Sequence, residues 1–321
     1  MKYFYTGNLN LAENKRIING ITIYLRGHVQ YEGEYYERYA IQTPFIGPGE
    51  NLEDYIREYV VPVFRQGDIL AVTEKVVALS ESRILDFENR RLSIPAAILG
   101  RCMKKTVLDW DPVMKMQAFI DLFGLPKVVL AAFWGAMGKI IGRDGNFYRI
   151  LGDEAVGMDG GYTGSPFPLY RKHFILIPHN APHITKQLEA AGCPTFVSDT
   201  NDAVSRAYAL SEGCRSQGFT EEKLKALLAD NPGGQNDELT PFILIRKTKP
   251  DELEACRLPK KISEEEFRSM KRQSSNKEKT KTNHEEADNV QLPLCGFPLP
   301  LGLIGIVLCL FAGIILLTSC F

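Results

Sequence analysis

Two short acidic clusters carry the residue types most able to do chemistry: GDEAVGMDGG at Gly152–Gly161 and FVSDTND at Phe196–Asp202. Carboxylates set among glycines at the ends of apolar runs suit a divalent metal and a polyphosphate. Hard oxygen ligands hold Mg²⁺ or Mn²⁺, and glycine lets the backbone come close. A third loop of the same character, DNPGGQNDELTP, runs from Asp230 to Pro241 and adds Gln235, Asp237 and Glu238. Asp, Asn and Gly are also ordinary turn formers, so any one of these loops alone reads equally as a turn. Two of the loops directly follow apolar, strand-like stretches, which favours a site.

Other candidate motifs fail on their spacing. GAMGKIIGRDG at Gly135–Gly145 suggests a phosphate loop, but that motif needs glycine where Phe133 stands and Ser or Thr where Ile140 stands. Its glycines read as helix packing and turns. No GxGxxG joins a strand to a helix, so a dinucleotide site has no support. His179 and His183 in HNAPH are separated by Pro182, which is expected to break a helix that would face both towards one metal. Gly164 and Ser165 in YTGSPF lack the strand-turn-helix context of a nucleophile elbow.

Elements of a sizeable fold must hold these loops. The chain has 321 residues, 45% of them hydrophobic and 24% charged, enough for one large domain or two intimate ones. Lys and Arg number 38 against 39 Asp and Glu, so no basic surplus points to nucleic acid, and none is expected as a partner. The seven cysteines include no CxxC pair and make an odd total, which fits reduced thiols better than a disulfide framework or a zinc site. The N-terminal MKYFYTGNLNLAENKR has no apolar core for a signal peptide.

Periodicity predicts mixed strands and helices over residues 1–250. Strands are expected at Ile21–Tyr24, Tyr39–Thr43, Ile69–Thr73, Phe174–Pro178, Thr195–Ser198 and in PFILIRK at Pro241–Lys247. Helices are expected from Asn51 to Phe64, at Met114–Leu122, from Pro126, and at Ile184–Ala191, Asp202–Leu210 and Thr220–Ala229. The apolar stretch between Lys127 and Lys139 has eleven residues, too few to cross a bilayer. Together these imply an α+β fold, a mixed sheet with packed helices, and no internal repeat.

Residues 251–292 read as a charged flexible linker, with one short helix expected in ISEEEFRSMKR. After Asp288 no charged residue occurs, and the apolar run at residues 299–319 is expected to form a single-pass C-terminal transmembrane helix. About 20 helical residues span the roughly 30 Å hydrocarbon layer. The segment Lys271–Thr282 before it carries five basic residues against one acidic, which predicts a membrane protein with its main domain on the cytoplasmic side.

Five segments occur in an order that resembles the coenzyme F-420 (deazaflavin) γ-glutamyl ligase family, on the side of its bacterial ligase-like branch. They are RYAIQTPFIGPGENL, GDILAVTEKVVALSESR, GDEAVGMDGG, FVSDTNDA and DNPGGQNDELTPF, and the resemblance covers roughly Arg38 to Lys247. It implies an intertwined, homodimeric α+β fold that uses GTP or ATP, Mg or Mn, and a monovalent cation. The implied reaction joins an amino acid to a small-molecule or peptidic carboxylate through an acyl phosphate. Position by position, the resemblance implies that Asp159 and Asp199 hold metal, with Asn201, Asp202 and Gln235 completing or supporting its shell. It assigns Lys75 to phosphate neutralisation as the catalytic cation, and Ser80, Gly160 and Gly161 to the nucleotide site. After SDT the ligases continue into a substrate loop, whereas this chain reads NDAVSRA and is expected to enter a helix. A non-catalytic, membrane-anchored binding or scaffold protein that retains the fold is the alternative; the presence of both aspartates favours the enzyme.

Overall fold

The run Ile-Leu-Ala-Val at 69–72 is apolar at every position because both faces of its strand are covered. Leu70 and Val72 point into one apolar cluster with Leu25, Ile41, Val197 and Leu244, while Ile69 and Ala71 point into another with Phe196, Ile243 and Ile245. This is the two-residue alternation of a central strand in a sheet packed on both sides. Each such buried side chain contributes about 1.5–3 kcal/mol by leaving water.

The computed structural model describes residues 4–103, 110–143, 145–162, 165–200, 205–263, 265–266 and 269–270. In chain order these form twelve strands: β1 (Phe4–Tyr5), β2 (Lys15–Ile18), β3 (Ile21–Tyr31), β4 (Glu34–Ile41), β5 (Ile69–Thr73), β6 (Ile84–Asp86), β7 (Asp159–Gly160), β8 (His173–Ile175), β9 (Thr195–Thr200), β10 (Ser205–Leu210), β11 (Phe242–Thr248) and β12 (Lys261–Ile262). The main sheet has the order β10-β9-β5-β11-β4-β3-β2. Its neighbours are antiparallel except β5 and β9, which run parallel with Thr73 opposite Ser198. A parallel pair needs a long crossover. Here it is residues 74–194, and it contains a second body: the small sheet β6-β8-β7 and the helices Ile94–Arg101, Pro112–Phe123, Leu125–Ile140 and Asn146–Leu151 around Phe119, Phe174, Val128 and Leu151.

The architecture is therefore the expected α+β arrangement, but the expected fold is corrected in one part. Among the described residues no helix is long and apolar enough to cross a membrane, so the described fold is α+β without the expected transmembrane helix. The apolar run at residues 299–319 and the basic flank before it lie outside the described residues. Within the segment read as linker, Lys261–Ile262 pairs with β1, Ile262 is buried, and the Glu254 amide donates to Glu37.

Several boundaries shift for identifiable reasons. β3 and β4 are longer than predicted and join through a tight turn at Glu32 and Gly33, both with positive φ. Their charged residues Arg26, Glu37 and Arg38 are buried, which hid the strands from an apolar pattern. The predicted helix at Asp202–Leu210 is instead β10 over its described residues, hydrogen-bonded antiparallel to β9. Glu74–Ser80, for which no element was expected, forms a helix directly after β5. Pro182 does not interrupt a helix; it occupies the first turn of Ala181–Ala190, where its missing N–H costs nothing.

Candidate functional site

β5 and β9 end side by side because they are parallel and in register, and each carries chemistry where it ends. Glu74 and Lys75 open the helix after Thr73, and Asp199 follows Ser198 in β9. The carboxyl ends of parallel strands are the usual place for ligands in such sheets. The third contribution comes from the crossover body. β7 pairs with β8 so that Asp159 lies opposite Ile175, and Asp159 Oδ2 forms an ion pair with Lys75 Nζ.

Asp159 is held firmly. Its Oδ1 accepts from the Tyr162 hydroxyl and, at 3.0 Å, from the Gly160 N–H. Gly160 has φ +112°, and a Cβ there would run into the His173 carbonyl oxygen, so only glycine lets β7 approach β8 this closely. The Gly161 N–H donates to His173 O at 3.0 Å, and a Cβ at Gly161 would meet the Phe174 ring at 2.7 Å. Both glycine amides are thus committed within the protein, and the two glycines serve packing beneath Asp159.

The electrostatics show a crowded anionic pocket. Glu74 is only 7% exposed, and its carboxyl is pushed up to about 8 by burial first, then by Asp199 and Asp159, with Lys75 opposing. For Lys75, burial would lower the ammonium, but Asp159 and Glu74 outweigh it and hold it above the usual lysine range. Tyr170 is pushed up to about 12 by burial, Asp159 and Glu74 adding to the effect and Lys75 opposing it. Tyr208 likewise rises to about 12 through burial, Glu74 and Asp199. Its buried hydroxyl has no hydrogen-bond partner of good geometry, although Arg206 is near enough to act on its charge.

The other predicted residues fall in different places. Ser80 ends the Glu74–Ser80 helix, donates to the Val77 carbonyl at 2.8 Å and lines a surface hollow with Glu50, Leu52 and Gln187. Gln235 sits in the third acidic loop, which passes beside β5: a Cβ on Gly233 would touch Thr73 Cγ2, and Thr73 N donates to Pro241 O. Asn201 and Asp202 lie outside the described residues. The remaining acids of the clusters build the scaffold. Asp153 pairs with Arg206 at 3.3 Å and Glu154 with Arg83 at 2.7 Å, while Asp230 holds Arg38 and Glu238 holds Arg26.

Three participants escaped the sequence reading. Glu74 was hidden inside an apolar run, and Tyr162 lies three residues after Asp159 with nothing local to mark it. Lys115, in the first turns of Pro112–Phe123, is the third. Its ammonium lies 4.8 Å from the centre of the Trp110 ring, and its pKa is lowered by burial, with Asp159 opposing. Trp110 bridges to Tyr162, and the Asp111 N–H donates to Gly161 O, so this helix start is fastened to the Asp159 loop. A signal existed in the lysine on an otherwise apolar helix face.

Residues 40–132 match the family model described as F420-0:Gamma-glutamyl ligase. The match supports a γ-glutamyl ligase-like function. It takes in the end of β4, all of β5, Glu74, Lys75 and Lys115, and stops before Asp159 and Asp199. No curated protein matches the chain.

Proposed function

We propose that the chain is a metal- and nucleotide-dependent ligase of the γ-glutamyl type, joining an amino acid to a carboxylate acceptor by way of a phosphorylated carboxylate. The observation that carries this reading is the meeting of Lys75, Glu74, Asp159 and Asp199 at the carboxyl ends of β5 and β9, with Lys75 inside the stretch that matches the ligase model.

Glu74, Asp159 and Asp199 offer hard oxygens of the kind a divalent cation takes, and a positive ion among them would relieve the burial and mutual repulsion that push Glu74 up to about 8. Among the described residues no three acidic, histidine or cysteine side chains already form a cage, and Asp159 is engaged by Lys75. Asp159 and Asp199 would hold Mg or Mn, with Gln235 and, beyond the described residues, Asn201 and Asp202 as further oxygen donors. Bound there, the ion neutralises the phosphates of GTP or ATP and favours in-line phosphoryl transfer. A monovalent cation belongs to the same proposal.

The chain's own side chains divide the rest of the work. Lys75, exchanged from Asp159 to the nucleotide, neutralises the transferring phosphoryl group. Its raised pKa keeps it cationic throughout the physiological range. Lys115 presents a second positive charge from the side of the Asp159 loop and suits the acceptor, a small-molecule or peptidic acid. The Tyr208 hydroxyl, which among the described residues has no hydrogen-bond partner of good geometry and whose titration feels Glu74 and Asp199, is a donor suited to a ligand oxygen. The test is turnover: the full chain with Mn²⁺, GTP or ATP, glutamate and a panel of carboxylic acids should release phosphate and yield an amide detectable by mass. Nucleotide hydrolysis without any amide, or no turnover with either nucleotide, would refute the assignment.

A further inference from the structure

The helix Leu125–Ile140 buries one face and leaves the other uncovered. Val128, Val129, Ala131 and Gly138 face the second body's core, whereas Leu130, Trp134, Met137 and Ile141 face out, at the i, i+4, i+7, i+11 spacing of a single stripe. Their exposures are large for apolar side chains: Trp134 50%, Ile141 64%, and Ile140 beside it 74%. Lone exposed hydrophobes are common on soluble surfaces, but a continuous stripe is not.

Charge says what suits this stripe. From Leu122 to Arg143 the chain has no acidic residue, although its net charge is −1, and the basic residues Lys127, Lys139 and Arg143 are all exposed. Asp121, the acid just before the stretch, is taken up by Arg90 at 2.7 Å. The Lys127 ammonium lies 5.1 Å from the centre of the Phe123 ring, so its stem follows apolar surface while its charge stays at the edge. An exposed Trp among Leu, Met and Ile, with the exposed Lys127, Lys139 and Arg143 alongside, is the make-up of a helix that lies in a membrane interface.

We propose that the outward face of Leu125–Ile140 is a docking surface for an anionic lipid bilayer, with Trp134, Met137, Ile140 and Ile141 entering the headgroup boundary. The proposal is independent of the ligase reading, because the stripe itself contains none of the residues around Asp159. It orients the protein on a lipid surface with the second body against the membrane.

Trp110 and Trp134 are the two tryptophans of the chain, so Trp110→Phe makes Trp134 the sole reporter. The full chain carrying that change is mixed with vesicles of phosphatidylglycerol and phosphatidylcholine whose acyl chains are brominated, and Trp134 emission is followed. The expected result is quenching with a blue shift, stronger than with phosphatidylcholine alone. Ile140→Ser with Ile141→Ser, at highly exposed positions, should raise the lipid concentration for half-quenching by about tenfold. Lys139→Gln should raise it by about fivefold on the anionic vesicles only. Should Trp110→Phe unfold the chain, the difference in quenching between the wild type and Trp134→Phe gives the same reading. Two results would overturn the proposal. One is an unquenched Trp134 while the vesicles still carry the protein down. The other is a lipid-independent blue shift that grows with protein concentration, which would assign the stripe to a second copy of the chain.

Discussion

Glu74→Gln isolates the electrostatic stress of the candidate site. The Glu74 carboxyl is buried and titrates at about 8, against 4.5 for an ordinary glutamate, because burial and then Asp199 and Asp159 disfavour its charge. A folded-state pKa above the unfolded one means that the stabilising contribution is fully present below about pH 4.5 and is lost as pH rises through about 8. Between pH 5 and pH 8 the single-site expression changes by about 2.6 log units, or about 3–4 kcal/mol at 1.36 kcal/mol per unit. Glutamine copies the protonated acid and has no such slope. Urea denaturation of the metal-free wild type and of Glu74→Gln, at both pH values and constant ionic strength, should show the wild type losing about 3–4 kcal/mol relative to the variant. Added Mn²⁺ should narrow the gap at pH 8, since a cation offsets the repulsion. A gap that does not change with pH would refute the reasoning, because Glu74 would then ionise without penalty beside Asp199.

Other perturbations probe the frame around the site. Asp68→Asn should cost about 3–5 kcal/mol in chemical denaturation, because Asp68 grips the buried Arg246 through bonds of 2.9 and 2.6 Å and the neutral amide leaves that guanidinium without its carboxylate. Gly160→Ala forces a side chain against the His173 carbonyl at positive φ and should lower stability by about 1–3 kcal/mol, read as a fall in Tm. Lys115→Met keeps the packing on Trp110 but removes the charge. The KM for the acid acceptor should rise about ten- to a hundredfold with Tm unchanged or higher, and an unaltered KM would remove Lys115 from the substrate.

What the sequence made legible, and what it hid, follows from how each feature is encoded. β5, β9 and β11 were readable because a strand covered on both faces is apolar at successive residues. Asp159 and Asp199 came from the family resemblance; Asp199 does stand at the end of a buried strand, but Asp159 follows the helices Asn146–Leu151 and Asp153–Gly157 rather than an apolar strand. β10 was mistaken for a helix, since SRAYAL has no alternation strong enough to outweigh alanine's helix preference and its strand state comes from pairing with β9. β3 and β4 were cut short because Arg26, Glu37 and Arg38 look like surface residues, yet they are buried and partnered by Asn10, the Glu254 amide and Asp230 from other segments of the chain. Glu74 could not be singled out for the same reason. Its neighbours Asp159 and Asp199 stand 85 and 125 positions away in the chain, and only the parallel register of β5 with β9 and the docking of β7 bring the three together. The membrane helix was argued from composition alone, and the described fold supplies no spanning helix.

The central claim is that Asp159 and Asp199 hold a cation on which nucleotide binding depends, with Lys75 serving the phosphates. Isothermal titration of Mn²⁺ and then of GTP or ATP into the full chain tests it most directly, with Asp159→Asn and Asp199→Asn alongside. The account predicts metal-dependent nucleotide binding in the wild type and its loss in both variants while their folds persist. Unchanged titrations in both would contradict it.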